Sequence, residues 1–156
     1  MTIYVDADSC PRRIREIIIR ASNRTTIPAY FIANRKIPEV VSDYTKMIII
    51  NNGEEAVDNY IVEHSRDGDI IITRDIPLAA ALLQKEVVVL NDRGSVFTKD
   101  TINERLSIRN ISKEIREAGL EIQGEKSFGQ KEIKSFSDAF SRILDKKLIN
   151  SSQLPK

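Results

Sequence analysis

Cysteine occurs once in the chain, at Cys10, and histidine once, at His64. A single thiol cannot close an intrachain disulfide, and a cysteine-rich zinc site lacks its ligands. Serine–histidine and cysteine–histidine mechanisms lack support in the same way. Cysteine usage suits a reducing compartment, and the start has no basic segment followed by a long apolar one, so a cytoplasmic protein is expected. Purely apolar runs stop after a few residues, and no membrane span is expected. An excess of one charge is also missing. Twenty-four Lys and Arg stand against 23 Asp and Glu, a net charge of +1. Any nucleic-acid surface must therefore come from local segregation of basic residues.

What is present suits one α/β domain. The chain has 156 residues, 41% of them hydrophobic, enough for one core and too few for a second domain. We read residues 1–149 as that domain and 150–156 as a frayed tail. Ile3-Tyr4-Val5 is a short buried strand; Asp6 and Asp8 follow in alternation, and Pro11 opens a helix over 11–22 with Ile14, Ile17 and Ile18 on one face. Further strands are expected at 27–33, 47–50, 69–73 and 87–90, with helices at 54–66, closed by Gly68, and at 78–85. Strands apolar on both sides that alternate with such helices imply βαβ units, hence a mostly parallel five-stranded sheet flanked by helices. After a turn at 91–94, Val96-Phe97 pairs briefly at an edge. A long helix over 100–118 ends at Gly119. A polar link over 121–129 precedes the last amphipathic helix, 130–148, with Ile133, Phe136, Phe140, Ile143 and Leu144 inward.

In open α/β sheets, ligands bind outside the carboxyl ends of the strands. Asp6 and Asp8 end the first strand there, Asp75 follows the fourth, and Asp58 lies one turn into the helix after the third. Four carboxylates at one edge repel unless a cation sits among them. Mg²⁺ or Mn²⁺ is the expected cofactor, because these hard ions prefer carboxylate and water oxygens. Such a centre activates water and stabilises charge on a phosphodiester. Arg74 and Arg93 flank the acids, and Arg105 and Arg109, four apart on a helix, are placed to contact phosphates.

The stretches VDADSCP, ITRDIPLA and LNDRGSVFT, followed by ERLSIR, resemble the uncharacterised bacterial YaiI/YqxD family. The likeness runs from Ile3 to Leu148 and is strongest through Arg109. That family is grouped with PIN-like domains, typically Mg²⁺- or Mn²⁺-dependent ribonucleases with acids at strand ends and a Rossmann-like three-layer fold. The resemblance implies a nuclease with nucleic acid, RNA above all, as its partner, and it leaves a homo-oligomer open. Asp6, Asp8 and Asp75 fall on its acidic motifs and Asp58 on its helix acid. Asn91, Arg93 and Gly94 fall on its turn, and Arg105 and Arg109 on its arginines. The chain departs from the pattern at Asp92, where proline is usual, at Thr101, where asparagine is usual, and at Gly124-Glu125-Lys126, where Gly-Gly-Pro is usual.

Each residue also has a plainer reading. Asp6 and Asp8 resemble a turn before a helix, although Ser9 or Cys10 already serves as the cap there. Asp75 fits an N-cap before Pro77, and Asp58 a solvated helix carboxylate. Asp92 reads as a turn residue, and Asp69 as a loop cap at the opposite end of the sheet. Cys10 reads as small and half-buried, since a phosphatase loop would put arginine at position 16, where Glu16 stands. His64 reads as a polar group at a helix end.

Two rivals to the nuclease follow. A haloacid-dehalogenase-like phosphohydrolase would use Asp6 as nucleophile and Asp8 as acid, but Cys10 stands where Thr or Val is usual. Its second aspartate motif follows a strand, whereas Asp69 precedes one. A receiver-like module would need an aspartate where Asn51 stands. Neutral charge and an aromatic content of 6% leave a non-catalytic nucleic-acid binder open.

Overall fold

Alternation along each strand sends successive apolar side chains to opposite faces, and here both faces are covered. The computed structural model describes residues 1–38, 40–53, 55–120 and 127–152. Its strands are β1 (Ile3–Asp6), β2 (Ala29–Ala33), β3 (Thr45–Ile49), β4 (Ile70–Ile72) and β5 (Val88–Leu90). All pair in parallel, in the order β3-β2-β1-β4-β5. The helices are α1 (Arg12–Thr25), α2 (Ala56–His64), α3 (Ile76–Leu82), α4 (Ile102–Glu117) and α5 (Gln130–Ser152).

Ile3 and Val5 of β1, Ile70 and Ile72 of β4 and Leu90 of β5 enter one layer, with Ile14 and Ile18 of α1 and Phe136, Phe140 and Leu144 of α5. Tyr4, Ile71 and Val89 enter the other, with Val57 and Ile61 of α2, Leu78, Ala79 and Leu82 of α3, and Ile102 of α4. The result is the expected three-layer α/β fold with two C-terminal helices. Each fully buried Ile, Leu or Phe contributes roughly 1.5–3 kcal/mol. Both layers are therefore needed to hold the sheet between them.

Several boundaries differ from the sequence reading, each for a specific physical reason. β3 starts at Thr45 because that buried hydroxyl donates to the Val40 carbonyl, so a polar residue is accommodated at the strand's start. α2 ends at His64, two residues early, because the Lys85 ammonium donates to the Val62 carbonyl and, at 2.6 Å, to that of Ser65. Gly68, at φ +94°, then serves the turn into β4 rather than the helix end. The N-cap of α1 is Pro11, not Ser9 or Cys10, and no side chain caps it. The Pro11 carbonyl accepts from the Ile14 and Arg15 N–H groups, both at 3.0 Å.

Leu90 pairs antiparallel with Val96, as expected. Gly94 is forced by its surroundings: φ is +83°, and an added Cβ would lie 2.4 Å from the Ser135 carbonyl oxygen of α5. α5 continues to Ser152, past the expected helix end. The expected link over 121–126, including Gly124, and residues 153–156 lie outside the described residues, as do Glu39 and Glu54.

Candidate functional site

From β1 the chain moves outward to β2 and β3, then returns to the other side of β1 for β4 and β5. The switch point of the sheet therefore lies between β1 and β4, where a crevice opens beyond the carboxyl ends. Asp6 is the last residue of β1, and Thr73 to Asp75 follow β4. A cleft of about 450 Å³ occupies this place, and Asp6, Asp8, Asp58, Arg74 and Asp75 all line it.

Each carboxylate arrives by a different local device. Asp6 projects from the strand end, and its Oδ2 accepts from the Thr73 hydroxyl at 2.8 Å. The same hydroxyl accepts the Asp75 N–H at 3.0 Å, so one buried threonine ties both strand ends together. Asp8 does not reach the cleft by strand alternation. The chain leaves β1 in a 3-10 turn, Ala7–Ser9, and Asp8 Oδ2 accepts the Asn34 N–H at 2.9 Å. Asp75 is the N-cap of α3, Oδ1 accepting from Leu78 N–H at 2.9 Å, so it caps a helix and lines the cleft at once. Asp58 reaches the cleft from α2, beside the buried Val57 that faces the sheet.

Burial first, and the charges of neighbouring acids after it, push the carboxyl groups of two of them upward. Burial pushes the Asp6 carboxyl up from its ordinary value; the charges of Asp75 and Asp8 add to this, and the Thr73 hydrogen bond opposes it. Asp58 is pushed up to about 7, first by burial and then by the charges of Asp75 and Asp6. A side-chain hydrogen bond with Asp75 adds to the shift, and two carboxyl groups make such a bond only when one is protonated. Among the described residues, no three Asp, Glu, His or Cys side chains converge as a ready-made metal centre. The donor set, all carboxylate oxygen, nevertheless fits a hard divalent cation.

Of the five residues expected to contact substrate, Arg74 lines the cleft, its Nε 3.5 Å from Asp92 Oδ2. The other four are not among the residues lining it. Asn91 Oδ1 accepts from the N–H groups of Arg93 and Ser95, both at 3.0 Å, and pins the turn after β5. Arg93 lies over the Phe128 ring, 5.5 Å from its centroid, and 3.7 Å from Glu132 of α5. Arg105 lies 4.7 Å over the Phe97 ring and donates to Ser95 Oγ. Arg109 is exposed on α4, 3.4 Å from Asn110 Oδ1.

Two residues passed over in the sequence matter here. Thr73 interrupts an isoleucine run just before Arg74-Asp75, and that break in an apolar strand was its signal. Asp92, read as a turn residue, is only 3% exposed and pairs with Arg74. Its departure from the family pattern was the available hint. Cys10 is buried rather than half-buried, and burial pushes its thiol up, so it is no nucleophile at neutral pH. His64 stacks on Tyr60, ring centroids 3.8 Å apart, at the end of α2.

Residues 4–146 match the family described as "Uncharacterized BCR, YaiI/YqxD family". A UPF0178 protein of Treponema denticola is 49% identical over 148 residues, covering 95% of this chain and 94% of the relative. One of Syntrophobacter fumaroxidans is 46% identical over 147 residues, covering 94% and 96%. One of Bordetella petrii is 42% identical over 144 residues, covering 92% and 96%. No solved structure matches the chain.

Proposed function

The chain belongs to the YaiI/YqxD family, and from that premise we propose that it is a divalent-metal-dependent phosphodiester hydrolase of PIN-like type acting on RNA or another nucleic acid. The observation that carries this reading is the meeting of Asp6, Asp8, Asp58 and Asp75, from three separate segments, in one cleft at the switch point of the sheet. A solvated surface does not need that arrangement, and a core would not tolerate it.

In this reading the four carboxylates hold Mg²⁺ or Mn²⁺. When bound, the ion supplies a lowered pKa for water and a counter-charge for the phosphodiester oxygens. The chain's own residues do the rest. Thr73 holds Asp6 in one orientation through its hydroxyl. The Asn34 N–H fixes Asp8, and the α3 cap fixes Asp75. Asp58, whose carboxyl is pushed up to about 7 by burial and by the charges of Asp75 and Asp6, would hold a cation in its deprotonated form. Arg74, which lines the cleft, would supply positive charge toward a phosphodiester bound there. Asn91, Arg93, Arg105 and Arg109 are engaged with the β5 turn, α5 and Phe97 or exposed on α4, and any contact they make with substrate lies outside the cleft.

The aspartyl-phosphate alternative is not favoured. Asp69, its candidate second acid, lies at the far end of β4 with both oxygens bonded to backbone N–H groups.

The test is cleavage of pooled RNA, single-stranded DNA and small phosphodiesters with Mn²⁺, Mg²⁺ or EDTA. We expect Asp6→Asn to lower metal-dependent cleavage at least 100-fold, in line with the several kcal/mol that metal centres supply. Cleavage retained by the mutant, or insensitive to EDTA, would overturn the reading.

A further inference from the structure

We infer that Asp92 is a positioning residue that holds the Arg74 guanidinium back against the cleft wall and so keeps it out of the place a divalent cation takes. The inference rests on the reading above, that the four carboxylates bind such a cation.

Arg74 is the only cation among the described residues lining the cleft, and it shares that lining with Asp6, Asp8, Asp58 and Asp75. A flexible guanidinium beside four acids is drawn toward them and would neutralise them from within. The structure shows what opposes this pull: Arg74 Nε lies 3.5 Å from Asp92 Oδ2. The Asp92 side chain is 4% exposed and that of Arg74 40%, so the pair is anchored from the Asp92 side. Burying a carboxylate that deeply is costly without a cationic partner, so the contact favours keeping the guanidinium beside Asp92.

The turn carrying Asp92 is itself held. Asn91 Oδ1 accepts two backbone N–H groups, and Gly94 lies against the Ser135 backbone of α5. Asp92 is thus a fixed post, and Arg74 the movable part. Removing the charge of the post lets the guanidinium swing onto the acids, where it competes with the cation.

The experiment is a calorimetric titration of MnCl₂ at fixed pH into wild type, Asp92→Asn, Arg74→Met and the double variant, each checked for folding by circular dichroism. We expect Asp92→Asn to bind Mn²⁺ roughly 10- to 100-fold more weakly, the range for residues that orient a metal site from outside it. Arg74→Met binds at least as tightly as wild type. The double variant recovers to within about threefold of Arg74→Met, because its competitor is gone.

If Asp92→Asn binds like wild type, or the double variant stays as weak as Asp92→Asn, the inference is overturned while the metal reading stands. If Asp92→Asn does not fold, the double variant, in which neither member of the pair is charged, decides. Binding as tight as wild type supports the inference, and a tenfold loss ends it. Wild type that takes up no Mn²⁺ overturns the functional reading and this inference with it.

Discussion

The two ends of the parallel sheet hold aspartates in opposite circumstances. At the amino end Asp69 is 6% exposed; its Oδ1 accepts the Thr2 N–H at 2.9 Å and its Oδ2 the Arg66 N–H at 2.8 Å. At the carboxyl end, burial and mutual repulsion push Asp6 and Asp58 toward their protonated forms. The residue type is the same, and the strands are neighbours. A carboxylate whose oxygens are filled by backbone donors belongs to the fold, whereas carboxylates set against one another are the ones we propose bind a cation.

That contrast breaks first on stability. Asp69→Ala removes two charge-assisted hydrogen bonds and leaves two N–H groups to find water, so we expect a loss of about 2–4 kcal/mol in urea unfolding. Mn²⁺ affinity of the folded protein should not change. A folded Asp69→Ala that had lost its Mn²⁺ affinity would erase the distinction between the two ends.

A smaller effect sharpens it. Asp58 titrates near 7 in the fold against 3.8 for an ordinary aspartate, so the folded state binds its proton more tightly than the unfolded chain does. The stability tied to that proton is complete below about pH 4 and is lost as pH rises through 7. Metal-free wild type should therefore melt progressively lower across that window. Asp58→Asn should flatten the profile and melt a few degrees higher at pH 8, and saturating Mn²⁺ should reverse the wild-type loss. Identical pH profiles for the two proteins would contradict the crowding of the acids.

The smallest effect concerns Thr73, whose hydroxyl lowers the Asp6 pKa against the effect of burial. Thr73→Val should move the midpoint of Mn²⁺ binding to higher pH, while Thr73→Ser, which keeps the hydroxyl, should leave it in place. A serine variant shifted as far as the valine one would show that packing, not the hydrogen bond, is responsible.

Local patterns carried most of the architecture. Strand runs such as Ile70-Ile71-Ile72 and helix faces such as Phe136, Phe140 and Leu144 announce burial by their own spacing. Asp6 and Asp75 were legible as well, because a charge at the carboxyl end of an apolar strand is a local signal. Residues whose role depends on a distant partner were not. Lys85 ends α2 from 20 positions away, and Asp92 is buried by meeting Arg74. Asn91 and Arg93 follow the end of β5 in sequence, and Arg105 lies on α4. Asn91 pins its own turn by local bonds, whereas Arg93 and Arg105 engage α5 and Phe97, a choice made by packing.

β1 lies at the centre of the sheet, and its partner in β4 is far downstream: Ile3 is in register with Ile70. At about 5–20 residues per second on a ribosome, that separation leaves one flank of the first strand exposed for on the order of 3–13 s. During that interval an apolar edge with unpaired amides is open to any strand that comes near. Chain synthesis thus creates a window in which aggregation competes with completion of the sheet, and substitutions that slow β4 docking should show first as lower soluble yield rather than as a less stable finished protein.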